Sequence, residues 1–368
     1  MFGVLPLNKH FADLYVFPSA LHELQKGGDP YLSNPTDPWG RPYNYPSTWL
    51  TFMRFPARSI PVLGIALGLS WLAGLLATWG RLSLAQGLIG GAMICSPPVV
   101  LALERANTDL VIGILLMASL ALLKRQMTVS TWLVVAAAFV LKLYPGAAFS
   151  AFLRMGWKRG VPYIAAAAIL VSSVVAWRLQ ELRMIAQNTP SGMVMSFGST
   201  TWIKATQRLQ RNRDILRDAE MPSRLLALAL ALGTAAAGFY WRKAHVGDQE
   251  GLDGFRISAS IFLLTFILGG SYLYRLIFLL FSLPWLWQPA ARPESTFPII
   301  RRVALGALFG LAWLNPFWWF PIIFARELCA WTLLLALSWL LGATLPRLRP
   351  LPPLSSVTAT GSNQSAAP

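Results

Sequence analysis

The chain has 368 residues, of which 55% are apolar and only 12% charged. An ordinary soluble domain carries about 25% charged residues. With a mean hydropathy of +0.52, this composition excludes a soluble enzyme and a disordered chain. Two cysteines, Cys95 and Cys329, both in apolar runs, exclude a disulfide-stapled secreted fold. The composition predicts an all-α, polytopic transmembrane bundle, with room for about nine to eleven spans of roughly 20 residues. The net charge of +16 fits basic loops on one side of a membrane and attraction to anionic lipid. The basic residues are scattered between apolar runs, which argues against nucleic-acid binding.

Met1–Arg58 contains no apolar run of spanning length and lacks the basic start and apolar core of a signal peptide. Phe11, Leu14, Pro18 and Leu21 recur at helical spacing, which predicts a short amphipathic helix at the membrane surface. Asp13 lies about 100° from the centre of that stripe, so it is not driven into lipid.

The predicted spans follow in order. Ser59–Trp79 is continuous. Leu84–Leu103 contains Pro97-Pro98, and Asp109–Leu123 is short. Thr131–Phe152 is interrupted at Lys142-Leu143-Tyr144-Pro145, where a proline beside a lysine predicts two half-helices that enter and return. Val161–Trp177 comes next. The stretch 178–224 carries eight basic residues and is too polar to span. Leu225–Trp241, Ile257–Ser271, Leu276–Trp287, Val303–Phe324 (broken near Asn315-Pro316) and Leu328–Leu345 complete the set. Gly64-xxx-Gly68 and Gly87-xxx-Gly91 have helix-packing spacing. The 346–368 tail is rich in Pro, Ser and Thr and is expected to be disordered. The organisation is therefore a 1–58 outer-side loop, a 59–345 bundle with a 178–224 outer loop, and a cytoplasmic tail.

Orientation follows from Arg and Lys in short loops. Arg81, Lys124-Arg125, Arg154, Lys158, Arg159, Arg242, Lys243, Arg256, Arg292, Arg301, Arg302, Arg347 and Arg349 can share the cytoplasmic side. The outer side then holds residues 1–58, Glu104–Asp109, the Lys142 tip, 178–224, Ser271–Arg275 and Arg326. The basic 178–224 loop breaks this rule unless an outer partner, such as lipid phosphate, offsets it.

Three polar clusters converge on that side. One joins Asp13 and Tyr15 to Gly27-Gly28-Asp29-Pro30-Tyr31 and Tyr43-Asn44-Tyr45-Pro46. The second is Leu103-Glu104-Arg105-Ala106-Asn107-Thr108-Asp109. The third is Lys142-Leu143-Tyr144-Pro145. Each has a plainer reading. Glu104 and Arg105 can cap helix ends, Lys142 can snorkel, Asp29-Pro30 can start a turn, and Tyr and Trp can anchor at the interface.

Taken together, in this order and spacing, the motifs resemble glycosyltransferase family 87, in the C-type superfamily that uses polyprenyl-phosphate sugars. The likeness covers residues 13–145. It is strongest in Glu104-Arg105-Ala106-Asn107-Thr108-Asp109, similar to the family's Glu-Arg-Gly-Asn-x-Asp, and continues in Lys142–Pro145. Ala106 stands where members carry Gly. Tyr272, Tyr274 and Arg275 stand where many carry a His pair. Members carry a span before the Asp, so a first span upstream of this chain is expected.

The resemblance implies a plasma-membrane hexosyltransferase, mannosyltransferase-like, with its site outside the cytoplasm. Its donor is a polyprenyl-phosphate sugar and its acceptor a lipid or glycan hydroxyl. Asp13 is the implied general base. Arg275, helped by Lys204 or Arg208, is implied to meet the leaving phosphate. Glu104, Arg105, Asn107 and Asp109 would order the pocket, supported by Lys142 and Tyr144. Tyr15, Asp29, Tyr45, Tyr272 and Tyr274 complete the expected substrate contacts. No cofactor is required, although Asp13 with Glu104 or Asp109 has the chemistry to share a divalent cation. The alternatives are a lipid or sugar transporter, or an inactive membrane scaffold. The transporter predicts mid-span charges and inverted repeats, and the sequence has no internal repeat.

Overall fold

The computed structural model describes residues 9–189, 196–209, 218–241, 250–288, 297–314 and 320–346. It is a helical bundle of the kind that composition predicts, with one antiparallel two-stranded pair, Ser196–Phe197 against Ser271–Tyr272. The 347–368 tail, the Asn315-Pro316 break and Arg242, Lys243 and Arg292 fall outside the described residues.

Among the described residues, four helices are long and apolar enough to cross a membrane: Ala57–Trp79, Tyr144–Trp177, Glu220–Trp241 and Ile322–Thr344. Leu84–Ile94 with Pro97–Arg105 is a fifth if taken as one span, bent by 56°. Pro97 and Pro98 open the second piece, where the lost N–H groups cost nothing. These are fewer than the nine to eleven spans expected. The difference lies in apolar helices of modest length, such as the 17-residue Thr108–Lys124 and the 14-residue Thr128–Leu141. Hydropathy does not distinguish a helix facing lipid from one enclosed by protein. Leu252–Ile267 is of the second kind: Phe255, Ile257, Ile261, Phe262 and Phe266 are all buried. By contrast, Val62, Ile65, Leu69 and Leu76 on Ile60–Trp79 are exposed, as a lipid-facing helix requires.

The interruption at Lys142 forms the expected hairpin. Thr128–Leu141 runs in, and a 12-residue 3₁₀-helix, Tyr144–Met155, runs back. Trp132 meets Phe149 at 5.4 Å, and Gly146 seats against the Phe139 ring. The halves match in reach, since 14 residues of α-helix and 12 of 3₁₀-helix span about 21 and 24 Å. The chain reverses again at Gly156, whose φ is +78°. Phe152 and Tyr163 therefore stack at 5.4 Å, so Tyr144–Trp177 is not one straight rod.

Small residues decide the other close contacts. A Cβ on Gly238 would lie 2.0 Å from the Trp339 carbonyl oxygen, and one on Gly342 1.9 Å from that of Ala235. These two glycines lock Glu220–Trp241 against Phe320–Thr344. Gly64 seats the Phe11 ring and Gly68 meets Leu103. A Cβ added at Gly87 or Gly91 would meet nothing within 4 Å; their neighbour Gly90 packs on Trp79 instead.

The bundle has two polar ends. At one, the N-terminal segment caps the Lys142 hairpin through Trp49 Nε1 and the Leu141 carbonyl, 2.8 Å apart. The Leu179–Asn188 helix joins it there: Tyr31 Oη donates to Glu181 at 2.7 Å, and Asn188 Nδ2 donates to the Tyr31 carbonyl at 2.7 Å. At the other end, Arg154 pairs with Asp253, and Arg256 Nη2 donates to the Thr344 carbonyl at 2.8 Å.

Candidate active site

The site is built on a turn between two helices. Pro97–Arg105 closes with the Asn107 N–H donating to the Ala102 carbonyl and the Ala106 N–H to that of Leu103, both at 3.0 Å. This Schellman closure needs a left-handed residue at Ala106, whose φ is +47° and ψ +50°. The strain explains why glycine is the ordinary occupant of such a position.

Asn107 then caps the next helix, its Oδ1 accepting the Asp109 N–H at 2.9 Å. That fixes the amide, so its Nδ2 donates to Asp13 Oδ2 at 2.5 Å. Asp13 is brought there by a strap. The Phe11 N–H donates to the Glu104 carbonyl at 2.9 Å, and a short 3₁₀ turn, Ala12–Tyr15, follows before the amphipathic helix Val16–Gln25. The helix forms, but the expected stripe does not: Phe11 and Leu14 precede it, Pro18 and Leu21 are half-buried, and its buried side is Val16, Phe17 and Ala20, while Asp13 faces protein and is only 3% exposed.

Arg41 holds the other carboxylate oxygen, with Nη1 at 3.2 Å from Asp13 Oδ1. Asp37 grips the rest of the guanidinium, from Nε to Oδ1 and from Nη2 to Oδ2, both at 3.1 Å. Asp37 is itself fixed by the Trp39 and Arg41 N–H groups at 3.0 and 3.2 Å. Burial works against the Arg41 charge, but Asp37 and Asp13 outweigh it and hold the group firmly protonated. Sequence reasoning missed Arg41, Asp37 and Trp39. The signal was Asp37-Pro38-Trp39-Gly40-Arg41, an Asp-Pro turn with a cation four residues on.

The second half of the site surrounds Asp109, which is fully buried. Its Oδ1 takes Lys142 Nζ and, at 2.7 Å, Tyr144 Oη. Its Oδ2 lies 3.9 Å from Arg275 Nε, and neither atom has a hydrogen-bond partner. Arg275 Nη1 donates to Ser271 Oγ at 2.9 Å, and its guanidinium lies 4.9 Å from the Tyr144 ring centre. Tyr45 links the halves, with Lys142 Nζ 5.2 Å from its ring centre. Tyr272 and Tyr274 stack in near-parallel planes at 5.3 Å. Burial, working against Arg105 and Arg41, keeps the Tyr272 hydroxyl protonated. Arg105 lies over Trp39 at 5.3 Å, and its buried Nε has no partner.

Four cations (Arg41, Arg105, Lys142, Arg275) thus surround three carboxylates (Asp13, Asp37, Asp109). The balance favours an anionic guest, and unused donors remain on Arg105 and Arg275.

Not every expected residue is drawn in. Asp29 is exposed and accepts the Tyr31 N–H at 2.9 Å, so it shapes a turn. Tyr15 meets Lys9 at 5.2 Å. Glu104 contributes its backbone carbonyl. Lys204 stands beside Gly270, 3.6 Å from where a Cβ on that residue would sit. The Arg208 side chain lies outside the described residues. No group of three or more metal-ligating side chains occurs among the described residues.

No protein-family model matches the chain, and no curated protein or solved structure is significantly similar to it.

Proposed function

We propose that the chain is a membrane glycosyltransferase that moves a mannose-like hexose from a polyprenyl-phosphate donor to a lipid or glycan hydroxyl. The observation that carries this reading is Asp13, a buried carboxylate steered by Asn107 and Arg41 beside the cationic cluster of Asp109, Lys142 and Arg275. The resemblance of its motifs to glycosyltransferase family 87 supports the same reading, with that family's C-type fold and fuller set of spans.

Asp13 takes the proton of the acceptor hydroxyl. The acceptor oxygen attacks the anomeric carbon, and the carbon–oxygen bond to phosphate breaks on the opposite face. One base and one displacement invert the anomeric configuration. The leaving polyprenyl phosphate keeps the bonding electron pair, so it needs cations rather than an acid. Arg275 supplies them through its planar fork. Arg105 and Asn107 help order the sugar, and the stacked Tyr272 and Tyr274 offer it a flat aromatic wall.

Arg154, Arg256 and Lys124 lie at the other end of the bundle. The positive-inside rule then turns Asp13 toward the outer face of a plasma membrane.

The test is transfer in vitro. Protein in detergent receives radiolabelled polyprenyl-phosphate sugars and a membrane-lipid extract, beside Asp13→Asn. Label moving only with the wild type supports the assignment. Equal transfer by both proteins refutes the base, and no transfer from any donor by a folded wild type refutes the class.

A further inference from the structure

A second cluster of unused donors lies at the start of the Thr201–Leu209 helix. The turn before it is firmly anchored. The Ser199 N–H donates to the Phe266 carbonyl at 2.9 Å, and the Ser199 carbonyl accepts Ser223 Oγ at 2.5 Å. The second bond brings the Glu220–Trp241 helix, and with it Arg224, alongside. Thr200 is the capping residue, since its carbonyl accepts the Lys204 N–H at 3.2 Å.

An N-cap threonine ordinarily spends its hydroxyl on the first turn of its own helix. Thr200 does not. It is 0% exposed, and Oγ1 has no hydrogen-bond partner. The same holds for Thr201, and the buried Nε of Arg224 is also unpartnered. An unmet buried donor carries a real cost, so these call for an explanation.

Thr200 and Arg224 converge on bare backbone. A Cβ on Gly269 would lie 3.2 Å from Thr200 Oγ1, 3.2 Å from Arg224 Nη2 and 3.3 Å from Arg224 Nε. Gly269 has φ of +123°, a conformation that excludes other residues. Lys204 Nζ stands next to it, over Gly270. The facing carboxylate is Glu220, which accepts from Arg224 Nη2 at 3.3 Å and leaves the Nε edge open. Hydroxyl, guanidinium and ammonium around the N-terminus of a helix match a tetrahedral oxyanion.

We propose that Thr200 and Arg224, with Lys204, form a phosphate-binding cradle across Gly269-Gly270. The guest is a phosphate group, either a lipid headgroup or free phosphate. Exposed Leu225, Leu226 and Leu228 on the Arg224 helix put apolar surface beside the cradle, as a headgroup with chains requires. The cradle stands without the transferase reading and also gives the basic 178–224 loop a counter-charge.

The test uses the full chain in detergent and native mass spectrometry. Dioleoyl phosphatidic acid is the probe, dioleoylglycerol the phosphate-free control and inorganic phosphate the competitor. Wild type should retain one phosphatidic acid in preference to dioleoylglycerol. Thr200→Val and Arg224→Gln should each weaken retention about tenfold, the worth of one charge-assisted hydrogen bond. Glu220→Gln should tighten it by removing the negative charge that competes for Arg224. Displacement by inorganic phosphate identifies the phosphate group alone as the determinant; resistance to it identifies the lipid headgroup. Unchanged retention in both Thr200→Val and Arg224→Gln overturns the proposal. Asp13→Asn should retain the lipid like wild type, so failure of the transferase reading leaves this result separate.

Discussion

The two polar ends of the bundle are built from the same parts and differ in how deeply each buries its carboxylate. Each centres on an aspartate in the first turn of a helix, Asp109 or Asp253, with two cations from other turns. Asp253 takes Arg154, and Arg256 lies at 3.6 Å, while its side chain remains 21% exposed. That cluster is a staple joining Leu252–Ile267 to the end of the Tyr144–Met155 coil. Asp109 takes Lys142, Tyr144 and Arg275 at complete burial, and still leaves Oδ2 and the Arg275 Nε without hydrogen bonds. Aromatic rings surround it, and a second carboxylate, Asp13, stands nearby on a separate strap. A carboxylate–cation cluster alone therefore does not mark a site. Complete burial of the carboxylate, with a second carboxylate on a separate strap beside it, sets the Asp109 end apart.

The sharpest way to break this comparison is to remove one carboxylate from each end. Asp13→Asn should lower transfer by about 10²- to 10⁴-fold, the usual worth of a general base, with the helical circular dichroism unchanged. Asp253→Asn should leave transfer within a few-fold of wild type. Equal losses in the two variants would make both clusters structural.

Stability should separate the ends next. Asp109→Asn leaves Lys142 buried without its counter-charge, which costs about 3–5 kcal/mol. Asp253→Asn breaks a partly exposed pair and should cost on the order of 1 kcal/mol. Resistance to unfolding in mixed detergent, followed by tryptophan fluorescence, reads both. A larger loss at Asp253 would reverse the assignment of site and staple.

A smaller effect concerns how the site end is held. Glu181 ties the Leu179–Asn188 helix to Tyr31 and to the Ser47 N–H, the latter at 2.6 Å. Burial opposes its charge, but the Ser47 and Tyr31 bonds prevail, and its pKa falls below 4.5. A depressed carboxylate stabilises the fold above its unfolded pKa and loses that contribution as pH drops through the folded value. Wild type should therefore lose melting temperature below about pH 4.5, while Glu181→Gln should start lower and change less over that window. Because the group is partly solvated, the difference should stay below about 1 kcal/mol. Parallel pH profiles would show that the latch carries no charge-dependent stability.

How much of this was legible depended on sequence distance. The hairpin at Lys142 and the turn between Glu104 and Asp109 are local, and proline, lysine and polar residues announce them; the bend at Pro97-Pro98 is as local, but the pair was read as lying within one span. Asp13 was singled out through the resemblance of its motifs, since the amphipathic pattern says only that it is not driven into lipid. Its partner Arg41 is 28 residues away, and the bond depends on how Asp37 folds the intervening loop. Glu181 reaches Tyr31 across 150 residues, and no spacing signals such a pair. Which apolar helices face lipid and which are enclosed, as Leu252–Ile267 is, was not legible for another reason: lipid and protein interior select the same apolar residues.

The smallest effect is expected at Ala106, where the chain departs from the glycine of the motif it resembles. An L-residue in the left-handed region costs about 1–2 kcal/mol. Ala106→Gly would relieve that cost but give back two gains. The alanine methyl is fully buried, worth about 0.8 kcal/mol, and glycine adds about 0.4–1 kcal/mol of unfolded-state freedom. The terms nearly cancel, so Ala106→Gly should change stability by less than about 0.5 kcal/mol and leave transfer intact. Ala106→Val has no such cancellation. A β-branched side chain in this backbone region is a true outlier, and it would push the Schellman turn, and with it the Asn107 amide, away from Asp13. Transfer should therefore fall in Ala106→Val even under conditions where the protein stays folded. If valine is tolerated as well as glycine, the turn does not set the direction of Asn107, and the link from backbone strain to the Asp13 carboxylate is broken.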